Sequence, residues 1–136
     1  MTDPLLDYDM VIGGQPRAAR SGRTYESLDP YRGTAWARVP DAGAGDVDDA
    51  VAAARDALEG PWAQLTATRR GELLQAIADL VLRDADALAE LETRDNGKLL
   101  REMRGQMTVL AQWYRYFGGL ADKVEGSVIP TDKANF

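Results

Sequence analysis

Neither cysteine nor histidine occurs among the 136 residues of the chain. The chain therefore has no thiolate nucleophile and no imidazole base, it lacks the commonest zinc ligands, and it forms no disulfide. Clustered positive charge is also missing: the net charge is −6 and the basic residues are scattered, which argues against nucleic acid as a partner.

Long apolar runs are absent as well. A membrane helix needs about 18 consecutive apolar residues, and no such stretch occurs, so we predict no membrane partner. Near the N-terminus only Met10-Val11-Ile12 forms a short apolar run, and its neighbours are acidic, so we expect no signal peptide. Cytoplasm is the expected location.

The first part of the chain, residues 1–42, is predicted to be a β-hairpin region. Tyr8 to Ile12 leads into a Gly13-Gly14 turn, and the stretches 24–28 and 34–39 alternate loosely around Asp29-Pro30 and Gly33. Pairs of short extended stretches separated by glycine-containing turns indicate two linked hairpin-like units.

Residues 43–124 show helical periodicity, and four amphipathic helices are predicted there. Caps are expected from Thr66 for the second helix and Asp84 for the third, with Asn96-Gly97 closing the third. The apolar residues expected to face inward on the first two helices are Val47, Ala50, Val51, Ala54, Leu58, Leu73, Ile77, Leu80 and Val81.

The fourth helix is predicted from about residue 100 to 123. Its apolar face includes Met103 and Met107, and Trp113 with Tyr116 broadens that face, so burial on more than one side is expected. The aromatic group at 113–117 could line a ligand pocket, but aromatics at helical spacing more often pack in a core. Residues 125–136 are predicted to start a further strand.

Three short motifs suggest ligand sites, and each is incomplete. Gly43-Ala44-Gly45 lacks the third glycine of a dinucleotide loop, since Asp48 stands there, and a helix start is the better interpretation. Asn96-Gly97-Lys98 ends like a P-loop, but Leu99 replaces the required Ser or Thr. The acidic residues at 46–49 lack the glycine and the glutamate of a calcium loop.

Taken together, these segments resemble the aldehyde dehydrogenase family, including its bacterial betaine aldehyde dehydrogenase-like members. Residues 91–98, Leu-Glu-Thr-Arg-Asp-Asn-Gly-Lys, are similar to the family's "LETLDNGK" segment, and residues 114–123 are similar to its "RYYAGWADK" helix. Upstream, residues 21–30 and 46–51 resemble the family's "SGRTF…NP" and "DVDxAV" segments. The order and spacing of these motifs agree across nearly the whole chain.

The resemblance implies an α/β fold, in which this chain is an incomplete part of the family's Rossmann-like cofactor-binding domain. It also implies NAD- or NADP-dependent oxidation of an aldehyde to a carboxylate by a protein that forms a homo-oligomer when complete. By the same resemblance, the strand predicted at 125–136 is the start of the family's oligomerisation hairpin. In the family a Cys thiolate attacks the carbonyl and a Glu activates water. Those residues and the cofactor-binding strands lie beyond position 136, so no catalytic or cofactor-binding residue is assigned here, and the chain alone is expected to be inactive.

Two sites map onto this segment through the resemblance. A structural monovalent cation would be held by backbone oxygens of Ser27 and Leu28 and by the carboxylate of Asp95. Asp95 could equally be a simple helix-terminal residue. Val109, and less directly Trp113, would face the substrate entrance. The alternative to an enzyme segment is a free-standing, non-catalytic acidic interaction module derived from the same family.

Overall fold

The computed structural model describes residues 4–127. The chain begins with five short strands: β1 (Leu6–Asp7), β2 (Met10–Ile12), β3 (Gln15–Arg17), β4 (Thr24–Asp29) and β5 (Thr34–Pro40). Four helices follow: α1 (Ala44–Glu59), α2 (Ala67–Arg83), α3 (Ala85–Asn96) and α4 (Leu100–Leu120), with a 3₁₀ turn at Pro61–Gln64. This arrangement confirms the predicted α/β class and the four helices.

The strands form the two expected hairpins. In the first, β2 pairs antiparallel with β3, and the turn between them places both Gly13 and Gly14 at positive φ, as tight hairpins require. In the second, β4 pairs antiparallel with β5. Strand β1 was not predicted. It pairs parallel with β5 and completes a three-stranded sheet in the order β1-β5-β4.

The predicted helix signals are confirmed in two cases and wrong in one. Thr66 caps α2 by accepting a 3.2 Å hydrogen bond from the Arg69 amide, and Gly97 closes α3 in the left-handed conformation at φ 76°. Asp84 does not cap α3 through its side chain. Its carboxylate instead pairs with the adjacent Arg83 guanidinium at 2.7 and 2.9 Å, which lowers the pKa of Asp84.

The helices pack α2 against α4 and α3 against α4. A small core joins α3 and α4, with Ala89 and Met103 fully buried and Met107 nearly so. On α2 the buried positions are Gly71 and Ala78. A Cβ at Gly71 would lie only 2.4 Å from the Gly118 carbonyl oxygen, so the α2–α4 interface depends on backbone contact at two glycines.

Most of the predicted inward faces of the first two helices is exposed within residues 4–127, although Val81 is half-buried. On α2 the close contact with α4 is made at Gly71, whereas the larger side chains of Leu73, Ile77 and Leu80 remain exposed. On α1 the contact runs through Ala53, whose Cβ is 3.8 Å from the position of a Cβ at Gly13. The stripe that includes Val47, Val51 and Leu58 therefore faces outward.

The fourth helix is also less buried than its composition predicted. Met103, Met107 and Ala111 are buried, but Trp113, Tyr116 and Phe117 are 56%, 58% and 54% exposed. Burial on more than one side is therefore wrong for this chain. Within residues 4–127 no helix is long and apolar enough to cross a membrane. Residues 125–127 have no regular structure, and the rest of the strand predicted at 125–136 lies outside the described residues.

Candidate cation site and helix α4 cleft

Two of the three residues predicted to hold a cation, Ser27 and Asp95, are in contact through their side chains where the β4–β5 hairpin packs on the end of α3. The hydroxyl of Ser27 donates a 2.6 Å hydrogen bond to Oδ1 of Asp95, although the two residues are 68 positions apart in sequence. Nε1 of Trp36 donates to the same Ser27 oxygen at 3.2 Å. Asp95 therefore does more than end α3, because its carboxylate joins the helix to the hairpin.

A bulge in the hairpin shapes this junction. Ser27 pairs with Ala37 and Leu28 with Ala35, so the register shifts between Ser27 and Leu28 and Trp36 is left without an opposite residue. Bulges re-aim side chains and interrupt the ladder of backbone hydrogen bonds. The shift falls at the two residues whose backbone oxygens are the predicted ligands, while the Leu28 side chain is 55% exposed.

An acidic cleft of about 250 Å³ opens beside these residues. It is bounded by strand β5 on one side and α3 on the other, and its lining residues are Tyr8, Ser27, Trp36, Ala37, Val39, Leu91, Glu92 and Asp95. The rings of Tyr8 and Trp36 meet edge to face, 6.1 Å apart. Two carboxylates and no basic side chain line the cleft, so its electrostatic character suits a cation.

The potential donors beside the acidic cleft are oxygen atoms. In the described part of the chain, no three side chains of the His, Cys, Asp or Glu type come close enough together to hold a metal. Carbonyl and carboxylate oxygens are hard ligands that suit alkali and alkaline-earth cations. Sequence reasoning missed Tyr8, Trp36 and Glu92, because only the bulge and the packing of α3 bring them to Ser27.

The two predicted entrance residues lie together in a separate cleft on α4. Val109 and Trp113 are one helical turn apart, and both line an open cleft of about 720 Å³. They are 49% and 56% exposed. The remaining lining residues are Glu92, Glu102, Gly105, Gln106, Met107 and Leu110. The mostly apolar lining suits an uncharged organic molecule more than an ion.

Three aromatic rings extend this surface along α4. Trp113 stacks on Phe117 with centroids 6.0 Å apart, and Tyr116 meets both rings edge to face. We refer to Trp113, Tyr116 and Phe117 as the aromatic face of α4. The rings contact one another and are about half exposed, so most of their outer surface is uncovered within residues 4–127.

The glycine motif before α1 does not fit a dinucleotide. Oδ2 of Asp46 accepts a 2.8 Å hydrogen bond from the Gly43 amide, and its Oδ1 accepts from the Arg20 amide at 3.0 Å. A carboxylate therefore already lies at the start of the helix, where a pyrophosphate would bind. These bonds, the one from Gly43 first, lower the pKa of Asp46. The prediction of a plain helix start is confirmed.

Comparison with known proteins identifies the family. The family model described as "Aldehyde dehydrogenase family" matches residues 17–136. One similar protein is (Z)-2-((N-methylformamido)methylene)-5-hydroxybutyrolactone dehydrogenase from Acinetobacter baylyi. It is 48% identical over 110 residues, which are 80% of this chain and 22% of that protein. An aldehyde dehydrogenase from Aspergillus niger is 42% identical over 90% of this chain and 25% of its own length.

Solved structures agree with the sequence matches. Betaine aldehyde dehydrogenase from Staphylococcus aureus, in complex with NAD+, superimposes on 96% of this chain with a TM-score of 0.89 and 35% identity. The NAD-dependent aldehyde dehydrogenase from Sinorhizobium meliloti covers 91% of this chain with a TM-score of 0.87 and 34% identity. The chain spans about a quarter of the length of these proteins, 26% and 25% respectively. On the match over residues 17–136 and these superpositions, the chain belongs to the aldehyde dehydrogenase family.

Proposed function

We propose that this chain is the N-terminal segment of an NAD- or NADP-dependent aldehyde dehydrogenase that oxidises an aldehyde to a carboxylate. The observation that carries the proposal is the superposition of 96% of the chain on one quarter of a dehydrogenase solved with NAD+. The relatives named above are also dehydrogenases. In such an enzyme, the part outside this chain determines whether NAD or NADP is used, which aldehyde is oxidised and which oligomer forms.

In the proposed reaction the aldehyde carbon gains oxygen from water, and a hydride passes from that carbon to the nicotinamide. This chain supplies neither a Cys nucleophile nor a His base for these steps. Its glycine-containing turn at 43–45 does not fit the cofactor, because the Asp46 carboxylate accepts the amide hydrogen of Gly43. The chain therefore contributes structure to the enzyme, and the reacting groups come from elsewhere.

The structural contribution that we propose is a cation-stabilised junction. The ion is sodium or potassium, held by the carbonyl oxygens of Ser27 and Leu28 and by the Asp95 carboxylate. Support comes from the bulge between Ser27 and Leu28 and from the 2.6 Å approach of Ser27 to Asp95. Such an ion would fix the hairpin to the end of α3.

We further propose that Val109 and Trp113 border the entrance through which the aldehyde reaches the active site of the complete enzyme, which we expect to be a homo-oligomer. Their exposure and the apolar lining of the α4 cleft support this role. A wall of this kind would favour aldehydes with apolar substituents through loss of apolar surface from water.

A second candidate function rests on the uncovered apolar surface. The aromatic face of α4 and the outward stripe of α1 are exposed in a chain with a net charge of −6. These features also fit a free-standing acidic module that binds another protein and catalyses nothing. The two candidates differ in whether any natural polypeptide carrying this sequence turns over aldehydes.

The test is NADH or NADPH production from a panel of aliphatic, aromatic and betaine-type aldehydes. It compares the longest polypeptide that the gene encodes with residues 1–136 alone. We expect turnover only from a polypeptide that includes a Cys nucleophile and a complete glycine-rich cofactor loop. Absence of both turnover and NAD(P) binding in the longest polypeptide would favour the interaction module, and turnover by purified residues 1–136 would refute the role proposed here.

A further inference from the structure

The end of α3 carries the one Asn-Gly pair of the sequence. Asn96 is followed by Gly97, whereas the other asparagine of the sequence is followed by Phe136. The side-chain amide of an asparagine is open to attack by the backbone nitrogen of the next residue, and glycine hinders that attack least because it has no side chain. Both residues of the pair are exposed, so water reaches them. Of the two asparagines, Asn96 is therefore the one more open to spontaneous deamidation.

Deamidation requires the Gly97 nitrogen and the Asn96 side chain to be free to meet. The nitrogen bonds to Cγ of Asn96, and the proton that it loses ends on Nδ2, which leaves as ammonia. The product is a five-membered succinimide. Water then opens either carbonyl–nitrogen bond of that ring and yields aspartate or isoaspartate. Water is the only other reactant, and no atom is oxidised or reduced.

In the folded chain both groups are engaged. The Gly97 amide donates a 3.0 Å hydrogen bond to the Thr93 carbonyl, so the last turn of α3 holds the attacking nitrogen. Nδ2 of Asn96 donates to Oε2 of Glu92 at 2.7 Å, and Oδ1 accepts from the Lys98 amide at 2.9 Å. The attack on Cγ therefore requires the last turn to open, and the two bonds of the side chain oppose its rotation.

From these contacts we propose that Asn96–Gly97 is a latent deamidation site that the folded end of α3 protects. The rate of deamidation follows the fraction of molecules in which the last turn of α3 is open, because a reaction that needs local opening is slowed by the opening equilibrium. The site does not depend on aldehyde oxidation, and its rate is measured without any turnover.

Conversion would weaken the attachment of α3 to the hairpin. A carboxylate at position 96 loses the donor to Glu92 and places like charges four residues apart on the helix. It also adds negative charge at the C-terminal end of α3, where the helix dipole favours positive charge. Isoaspartate in addition lengthens the backbone beside Gly97, where a Cβ would lie only 3.2 Å from Cβ of Pro30. These changes fall in the helical turn that holds Asp95 against Ser27.

Peptide mapping by mass spectrometry, with chromatographic separation of the aspartate and isoaspartate products, measures the rate at Asn96. The longest polypeptide that the gene encodes is incubated beside a synthetic peptide of residues 91–99 in the same buffer. The peptide is too short to hold a helix in water. We expect it to deamidate at least about tenfold faster than the folded polypeptide, because the opening step is absent.

Variants of Glu92 separate its hydrogen bond from the rest of the fold. In the longest polypeptide, Glu92→Ala should raise the rate at Asn96 about three- to tenfold, as expected from the loss of one hydrogen bond. Glu92→Gln keeps an acceptor oxygen, and its rate should stay near that of the wild type. Glu90→Ala removes an exposed carboxylate from the same helix and is the matched control, with an unchanged rate.

Two results would overturn the proposal. Equal rates at Asn96 in the folded polypeptide and in the peptide would show that the fold gives no protection, and that comparison needs no variant. Equal rates in Glu92→Ala and Glu90→Ala would show that the contact with Glu92 does not hold the asparagine. Asn96→Asp, which imitates one product, should melt at a lower temperature than the wild type, and an unchanged melting temperature would contradict the weakened attachment.

Discussion

At the scale of single residues, four aspartates of this chain have different structural roles, because each carboxylate has different neighbours. Asp46 closes the start of α1, Asp84 pairs with the arginine beside it, and Asp29 organises a hairpin turn. Asp95 bonds to Ser27 across 68 residues of sequence. The pKa of Asp46 and the pKa of Asp84 are both lowered, because hydrogen bonds stabilise each carboxylate.

The first prediction concerns acid sensitivity at Asp46. Its pKa in the folded chain is lowered, so its stabilisation is fully present above the ordinary carboxyl pKa and is lost as pH falls through the lowered value. We expect Asp46→Asn to have lower helicity than the wild type near neutral pH. As the pH falls through the lowered pKa, the helicity of this variant should decrease less than that of the wild type. Circular dichroism across an acid titration measures both. The exposed neighbour Asp48, changed to Asn, should retain the wild-type profile.

The second prediction concerns Asp95 in the longest polypeptide that the gene encodes. Asp95→Ala should remove the dependence of melting temperature on sodium or potassium, because the proposed ion loses its only carboxylate ligand. The reduction in stability should be on the order of 1–3 kcal/mol, the usual cost of removing a hydrogen bond to a charged group. Asp86→Ala, which breaks an exposed ion pair with Arg104, is the control. A wild-type protein indifferent to both cations would contradict the site.

At the scale of elements, the decisive contact is the crossing of α2 and α4. A Cβ at Gly118 would lie 2.9 Å from the Gly71 carbonyl oxygen and 3.2 Å from Cβ of Leu74, so neither Gly71 nor Gly118 has room for a side chain. Gln75 strengthens the contact by donating a 3.0 Å hydrogen bond from Nε2 to the Arg115 carbonyl. The two glycines and the side-chain amide of Gln75 therefore fix how α2 and α4 pack against each other.

The third prediction follows from this crossing. Gly71→Ala should lower the free energy of unfolding by about 1–3 kcal/mol, the usual cost of overpacking, despite the better helix propensity of alanine. Gly105→Ala on α4 is the matched control, because nothing lies within 4 Å of the added Cβ. It should stabilise the chain by about 0.5–1 kcal/mol. Urea denaturation of both variants, each made in the longest polypeptide that the gene encodes, gives the comparison, and equal effects would refute the close crossing.

At the scale of the whole molecule, little of the apolar surface is covered. Within residues 4–127 eight hydrophobic residues are buried, among them three alanines and two methionines on the helices, while large side chains on α1, α2 and α4 remain exposed. Contiguous exposed apolar patches of this kind mark interaction surfaces or drive association. In the proposed dehydrogenase, the remaining three quarters of the protein would offer the apolar surface that these faces lack.

The fourth prediction is that residues 1–136 alone self-associate and pack loosely. We expect substantial helicity by far-UV circular dichroism, a weak near-UV signal, and oligomers in light scattering. Trp113→Ser with Phe117→Ser should raise the monomer fraction at least twofold, because two rings of the aromatic face are removed. Tyr31→Ser with Val124→Ser removes two exposed apolar side chains outside that face and should change it little. A monodisperse wild-type monomer with cooperative melting would instead indicate an autonomous domain.

Local features of the chain were predictable where their cause is local. The Gly13-Gly14 turn needs positive φ, the Thr66 hydroxyl caps the adjacent helix, and Gly97 ends α3, and each depends on residues a few positions apart. The family motifs at 91–98 and 114–123 were likewise legible, and comparison confirmed the family. The exception is Asp84, which was predicted to cap α3. Its carboxylate pairs instead with the adjacent guanidinium of Arg83.

What the sequence by itself determined is therefore the order of the elements, most of their limits, the family, and the absence of Cys and His chemistry. The tertiary structure alone decided which helix faces are buried, because glycines and alanines make the close contacts and hydrophobicity did not point to them. It also decided that Ser27, Trp36 and Asp95 meet, since a bulge and a helix end had to coincide. Hydrophobic periodicity and secondary-structure propensity describe residues that are neighbours along the chain, whereas these contacts join residues that only folding brings together.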